Sequence, residues 1–223
     1  NLGGKITTGV TLPLAAVGAA SFKNFGDVDK TLRLVSETMG STAEEAKTLE
    51  SAIKTAAANS TFGMQDAADA SLNFARQGFN AAQAADMISP AMNLAAGTAS
   101  DLSMVTGGLG NTLKAFGADA NEATHYADMM AKAQAQANTD VTGLFDAMSI
   151  AGSMAKTVGW SFSDLAVITG VFGDHGIEAS VGATAINSGL MKLAAPTKEA
   201  SIWMEALGIN VFNTDGSLKS MPE

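Results

Sequence analysis

An all-α fold is predicted by three features of the sequence: an array or bundle of antiparallel helices of roughly 15 residues, paired into units of about 40 residues. First, apolar residues make up 47% of the chain and aromatics only 6%, so Ala and Met do much of the filling, which suits helices that approach closely. Second, apolar residues recur at three- and four-residue spacing, the period of a helix with one buried face. Third, one local pattern returns along the chain: Gly, any residue, a small polar residue, two more, then an acid or amide.

The element order begins with an apolar lead-in over residues 1–21. Its longest run, VTLPLAAVGAASF from Val10 to Phe22, is too short and too rich in Gly, Pro and Ser to span a bilayer, and no basic start marks a signal peptide. The chain opens NLGGK without Met and stops at SMPE, which reads as a fragment of a longer protein.

A helical core occupies residues 22–207. Within it GSTAEEA sets Gly40 as a helix stop, Thr42 as N-cap and Glu45 at the third helical position. GFNAAQA repeats this with Gly78, Asn80 and Gln83, GADANEA with Gly117, Asp119 and Glu122, and GWSFSDL with Gly159, Ser161 and Asp164. Gly closes a helix in the left-handed conformation, the polar side chain accepts from an orphan amide, and the acid or amide reaches back to complete a capping box.

Further starts near Thr61, Ser100 and Thr139 halve each unit. The apolar stripes agree: Leu49, Ala52, Ile53 and Ala56; then Leu102, Val105, Leu109, Leu113 and Phe116; then Val141, Leu144, Phe145, Met148 and Ala151. Pro90 falls inside the stripe of Ala84, Ile88, Met92 and Ala95, which predicts a restart with Ser89 as cap and Pro90 at the first helical position. Near the end, Val211, Phe212 and Leu218 flank a turn cluster from Asn213 to Gly216, so a short β-hairpin is predicted within residues 208–223.

Composition narrows the function. A net charge of −9, a pI near 4.6 and the lack of any basic run argue against binding a nucleic-acid backbone. The absence of cysteine removes disulfides and thiolate metal sites. The stretch GDHGIEASVGAT gathers Asp174, His175 and Glu178, but a catalytic metal needs three protein ligands, and Gly173 and Gly176 break the helix that would align them. A solvated turn is the expected reading.

Elsewhere the candidates are weaker. His125 sits in EATHYADMM beside Tyr126 and three residues before Asp128, a surface position with no nucleophile to serve. GGKIT (Gly3 to Thr7) and GGLGNTL (Gly107 to Leu113) each lack parts of a phosphate loop, and the second predicts close packing or a bend. The pairs Glu44 with Glu45 and Asp27 with Asp29 suit helix starts better than acid–base work on a glycan. Met129 and Met130 fit a core more readily than a docking patch.

These elements in their order, together with GIEASVGATAINSGLMKLAAP and LGINVFNTDG after them, resemble the core region of the phage tail tape measure protein family. The likeness runs from about Phe22 to the end. It is carried by Phe116 and Gly117, Glu122 and Ala123, Asp128, and Gly159 to Ser161, then by Gly176, Ile177, Ser180, Gly182 and Thr184. Leu190, Leu193, Pro196, Leu207, Gly208, Ile209, Asp215 and Gly216 complete it, and VTLP near the start is similar to the family's lead-in. One departure is VGAT, where the family shows Ala-Gly-Thr.

The resemblance implies a structural protein of the virion, not an enzyme, with no cofactor and no metal. It implies a place in the lumen of the tail tube, contacts with tail tube and tail tip proteins and with further copies of itself, and a role in templating the tube and setting its length after synthesis in the bacterial host cytoplasm. A helix rises by about 1.5 Å per residue, so chain length converts into tube length. The glycine stops predict a compact module here, with the measuring done elsewhere. Two other readings stand beside it: an α-solenoid protein-binding scaffold, and a peptidoglycan-degrading tail enzyme.

Overall fold

The computed structural model describes residues 12–211, 213 and 219, with side chains from residue 26 onward. Among them ten α-helices succeed one another: α1 (Leu12–Met39), α2 (Ala43–Ala58), α3 (Met64–Arg76), α4 (Ala81–Thr98), α5 (Leu102–Phe116), α6 (Ala123–Gln136), α7 (Val141–Thr157), α8 (Phe162–Asp174), α9 (Ala179–Ala194) and α10 (Lys198–Ala206). A 3-10 turn, Ala120–Glu122, precedes α6. No strand occurs among the described residues.

Local chemistry explains where the helices begin and end. Gly40, Gly78, Gly117, Gly159, Gly176 and Gly208 all have positive φ, the conformation that lets the chain leave a helix without a Cβ clash. After them, Thr42 accepts from the Glu45 N–H while the Glu45 carboxylate takes the Thr42 N–H at 2.8 Å. Asn80 and Gln83 form the same reciprocal pair, and Ser161 with Asp164 another. At Asp119 only half of the box forms: the Glu122 carboxylate takes the Asp119 N–H at 3.0 Å, while the Glu122 N–H goes to the Asp119 backbone carbonyl in a 3-10 turn, and α6 proper starts only at Ala123.

Three starts differ from the sequence expectation by one or two residues. The caps are Gly63, Asp101 and Asp140; the two aspartates accept from Met104 and Gly143 N–H, while Gly63 donates its own N–H to the Asp66 carboxylate at 2.8 Å. The expected restart at Pro90 is not there. α4 runs unbroken from Ala81 to Thr98 with Pro90 inside it, and Met87, Ile88, Ala91 and Met92, all fully buried, hold the turns on both sides of the missing N–H.

The chain divides into two compact units inside α4, one up to Ala85 and one from Asp86. In the first, α3 packs against both α1 and α2. Val28 and Val35 of α1, Leu49, Ile53 and Ala56 of α2, and Ala67, Leu72 and Phe74 of α3 are buried, and Gln65 donates to the Thr31 hydroxyl at 3.0 Å. α1 is continuous across residue 21.

In the second unit α7 is the hub. It packs against α5, α6, α8 and α9, and Val141, Leu144, Met148 and Ala151 are fully buried along it. Phe145 lies over Gly108 so closely that a Cβ there would fall inside its ring, which is why α5 carries glycine in mid-helix. Phe116, Tyr126 and Phe162 join the end of α5, α6 and the start of α8, with ring centroids 4.8 to 6.4 Å apart. The buried hydroxyls of Ser71, Thr106, Thr112 and Thr169 each donate to a carbonyl of their own helix, so the core contains them without a polar network.

Candidate functional site

The three ionisable groups that stand out in the sequence lie on the turn between α8 and α9. Gly176 and Ile177 donate back to Gly173 and Phe172, a glycine-closed helix end, and Glu178 then stands at the N-cap of α9. Each group is engaged locally. Asp174 Oδ1 accepts the Asn138 N–H at 2.8 Å, His175 Nδ1 lies 2.8 Å from the Val171 carbonyl of its own helix, and Glu178 Oε1 accepts the Ser180 hydroxyl at 2.8 Å.

The three side chains therefore point to three different neighbours. An open cleft of about 800 Å³ beside them is lined by Asp140, Asp146 and Glu178 among others. Asp140 is occupied in capping α7, and no group of three His, Asp or Glu able to hold a metal occurs among the described residues. The Ser180 hydroxyl and the Glu178 carboxylate that it donates to both line this cleft, at the start of α9.

The remaining candidates fall on helices. His125 is exposed and meets Tyr126 edge to face at 6.0 Å. Burial, and then the Glu122 carboxylate, push the Tyr126 phenol above its ordinary value. Gly107 and Gly108 lie inside α5 with no strand before them, so no phosphate cradle forms there; Gly3 to Thr7 lie outside the described residues. Glu45 is held below its usual carboxylate range by the Thr42 N–H and then by the Thr42 hydroxyl, a capping role. Asp29 pairs with Arg33 at 2.9 Å. Met130 is fully buried, whereas Met129 is half-exposed on a groove.

The residues that carry the family likeness do packing and turning. Gly182 is buried where a Cβ would strike the Phe172 ring, Thr184 donates to the Ser180 carbonyl, Leu190 is buried, and Leu193 is exposed. After α10, Gly208 and Ile209 donate to Glu205 and Met204 and close the helix. Asp215, Gly216, Phe212 and Leu218 lie outside the described residues, and with them most of the expected hairpin.

Sequence reasoning missed an apolar exterior at this end of the chain. Val167 and Val171 on α8, Val181 and Met191 on α9, and Ile202, Trp203 and Leu207 on and after α10 are all exposed. α10 has no buried residue at all. A signal was present: α8, FSDLAVITGVFGD, is apolar on two faces, one more than a helix on a surface needs.

Comparison with known proteins points in one direction. The family model described as phage-related minor tail protein matches residues 50–223. The tape measure protein of Pneumococcus phage Dp-1 is 31% identical over 222 residues, covering 100% of this chain and 19% of that protein. The probable tape measure protein of Escherichia phage P2 is 26% identical over 163 residues, 72% of this chain and 20% of that protein. The chain thus spans about a fifth of the length of these relatives. No solved structure matches.

Proposed function

The chain belongs to the phage-related minor tail protein family, and from that premise we propose that it is a folded, non-catalytic module of a tape measure protein, the chain that templates assembly of the tail tube and sets its length. The observation that carries this reading is likeness along the whole chain to a protein named for that role. The module lies in the tube lumen, contacts tail tube and tail tip proteins and meets further copies of itself. Its net charge of −9 suits a lumen through which DNA must later pass without adhering.

The fold supports a module more than a ruler. Among the described residues the longest helix has 28 residues, roughly 42 Å at the helical rise, and the others are shorter. The positive-φ glycines at 40, 78, 117 and 159 support two-helix units with Gly, cap and acid residues as their boundaries. A hydrogen bond of 2.8 Å from the Lys219 N–H to the Val211 carbonyl supports a short hairpin as the terminal segment, residues 208–223.

The test is made in the phage that encodes the chain. Removing residues 81–206 in frame is expected to abolish tail assembly, whereas lengthening unbroken helical stretches elsewhere in the tape measure lengthens tails by about 1.5 Å per added residue. Tails shortened in proportion to the residues removed would make this segment the ruler itself, and normal, infectious tails would remove its role. A cell-wall suspension is expected to stay turbid with the purified chain; clearing that Glu178→Gln abolishes would contradict the non-catalytic reading.

A further inference from the structure

A shallow groove of about 340 Å³ runs between α6 and α8. The two helices approach so closely at their C-terminal ends that a Cβ on Gly170 would lie 2.8 Å from that of Ala137, so the floor is backbone and small side chains. Met129 and Ala133 on one side and Val167 and Val171 on the other form apolar walls, with Val167 62% exposed. Two charges line it. Asp174 sits beside Asn138 at the last turns of the two helices, and Lys132 lies about one and a half turns back along α6.

One element of this chain matches that pattern. α10 is capped by Thr197, which accepts the Ala200 N–H, yet it buries nothing. Lys198, Ile202 and Glu205 fall at i, i+4 and i+7 on one face, with Trp203, 68% exposed, on its flank. The two charges are roughly 10 Å apart along the axis, close to the separation of Asp174 from Lys132, and in both the positive group comes first, so antiparallel docking sets opposite charges together. Among the described residues Lys132, Lys198 and Glu205 form no ion pair.

We propose that α10 of one copy docks in the α6–α8 groove of a second copy, antiparallel to α8, with Ile202 and Trp203 between Val167, Val171 and Met129, Glu205 facing Lys132, and Lys198 facing Asp174. The contact is head to tail, because groove and helix are different surfaces of the same chain, so copies add in one direction. A central aliphatic knob beside a Trp, rimmed by charge, is the composition of an interface hot spot. This names the surface through which copies meet, and rests on the tape measure reading only for its setting in a tail.

Sedimentation velocity of the whole chain over a range of concentrations tests it. The sedimentation coefficient is expected to rise with concentration at low salt and less at high salt. Val167→Lys and Ile202→Asp are each expected to leave a monomer whose melting is unchanged. Mixed together they are expected to form a dimer that grows no further, since one variant keeps only the groove and the other only the helix. Lys132→Glu is expected to weaken association at least tenfold and Glu205→Lys in the same chain to restore it. A chain monomeric at every concentration, association untouched by either apolar substitution, or no dimer on mixing would overturn the proposal. Association that persists in both variants would leave the tape measure reading intact and move the contact elsewhere.

Discussion

α7 and α10 are equally well started and very differently finished. Asp140 caps α7 through the Gly143 N–H and Thr197 caps α10 through the Ala200 N–H. Yet α7 buries eight side chains or backbone positions against four neighbouring helices, while α10 buries none. The difference teaches that a cap selects where a helix begins, but an isolated helix of nine residues is marginal in water, and packing supplies most of what holds a helix in a protein.

Leu144→Ala removes a fully buried side chain at the hub, and urea unfolding should report a loss of about 2–5 kcal/mol. The matching change Ile202→Ala should stay within about 0.5 kcal/mol in dilute solution, because it leaves no cavity.

Neighbouring glycines of α5 differ in the same way. At Gly108 a Cβ meets the Phe145 ring, whereas at Gly107 nothing lies within 4 Å. Gly108→Ala should therefore lower the melting temperature, by a loss of about 1–3 kcal/mol from overpacking against α7. Gly107→Ala should raise it, by about 0.4–1 kcal/mol from helix propensity and a less free unfolded chain.

Caps come third. Ser161→Ala, at the start of α8, should cost about 1 kcal/mol of global stability. Thr197→Ala should change the far-ultraviolet circular dichroism slightly and the melting transition not at all, since α10 is not coupled to the core.

The smallest effect is electrostatic. The chain has one tyrosine, and absorbance titration of Tyr126 should give a midpoint above 10.0, moving down on Glu122→Gln. The folded pKa exceeds the unfolded one, so stability is level below the unfolded value and falls as pH rises from there through the folded value.

Helix ends are readable in the sequence because a cap closes within four residues: Thr42 and Glu45, or Ser161 and Asp164, need only each other. The stripe from Leu102 to Phe116 is readable for the same local reason, as the period alone places five residues on one face. Pro90 misled because its local penalty is offset by burial of Met87, Ile88, Ala91 and Met92, whose neighbours in space no local rule supplies. Gly108 is a similar case, since its partner Phe145 belongs to another helix two elements further along the chain. Exposure of Ile202 and Trp203 was hidden because apolar residues at helical spacing look alike whether covered or not, whereas the second apolar face of α8 signalled that of Val167. The turn with Asp174, His175 and Glu178 gathers ionisable groups in sequence, while each side chain finds a different partner in space.

Amide hydrogen exchange of the whole chain, dilute enough to be monomeric, tests most directly whether packing on α7 holds this framework together. Amides in the middle of α7 are expected to exchange only through global unfolding, and those of α10 faster by on the order of 100-fold or more. Protection in α10 equal to that in α7, or an α7 that exchanges as readily as α10, would contradict it.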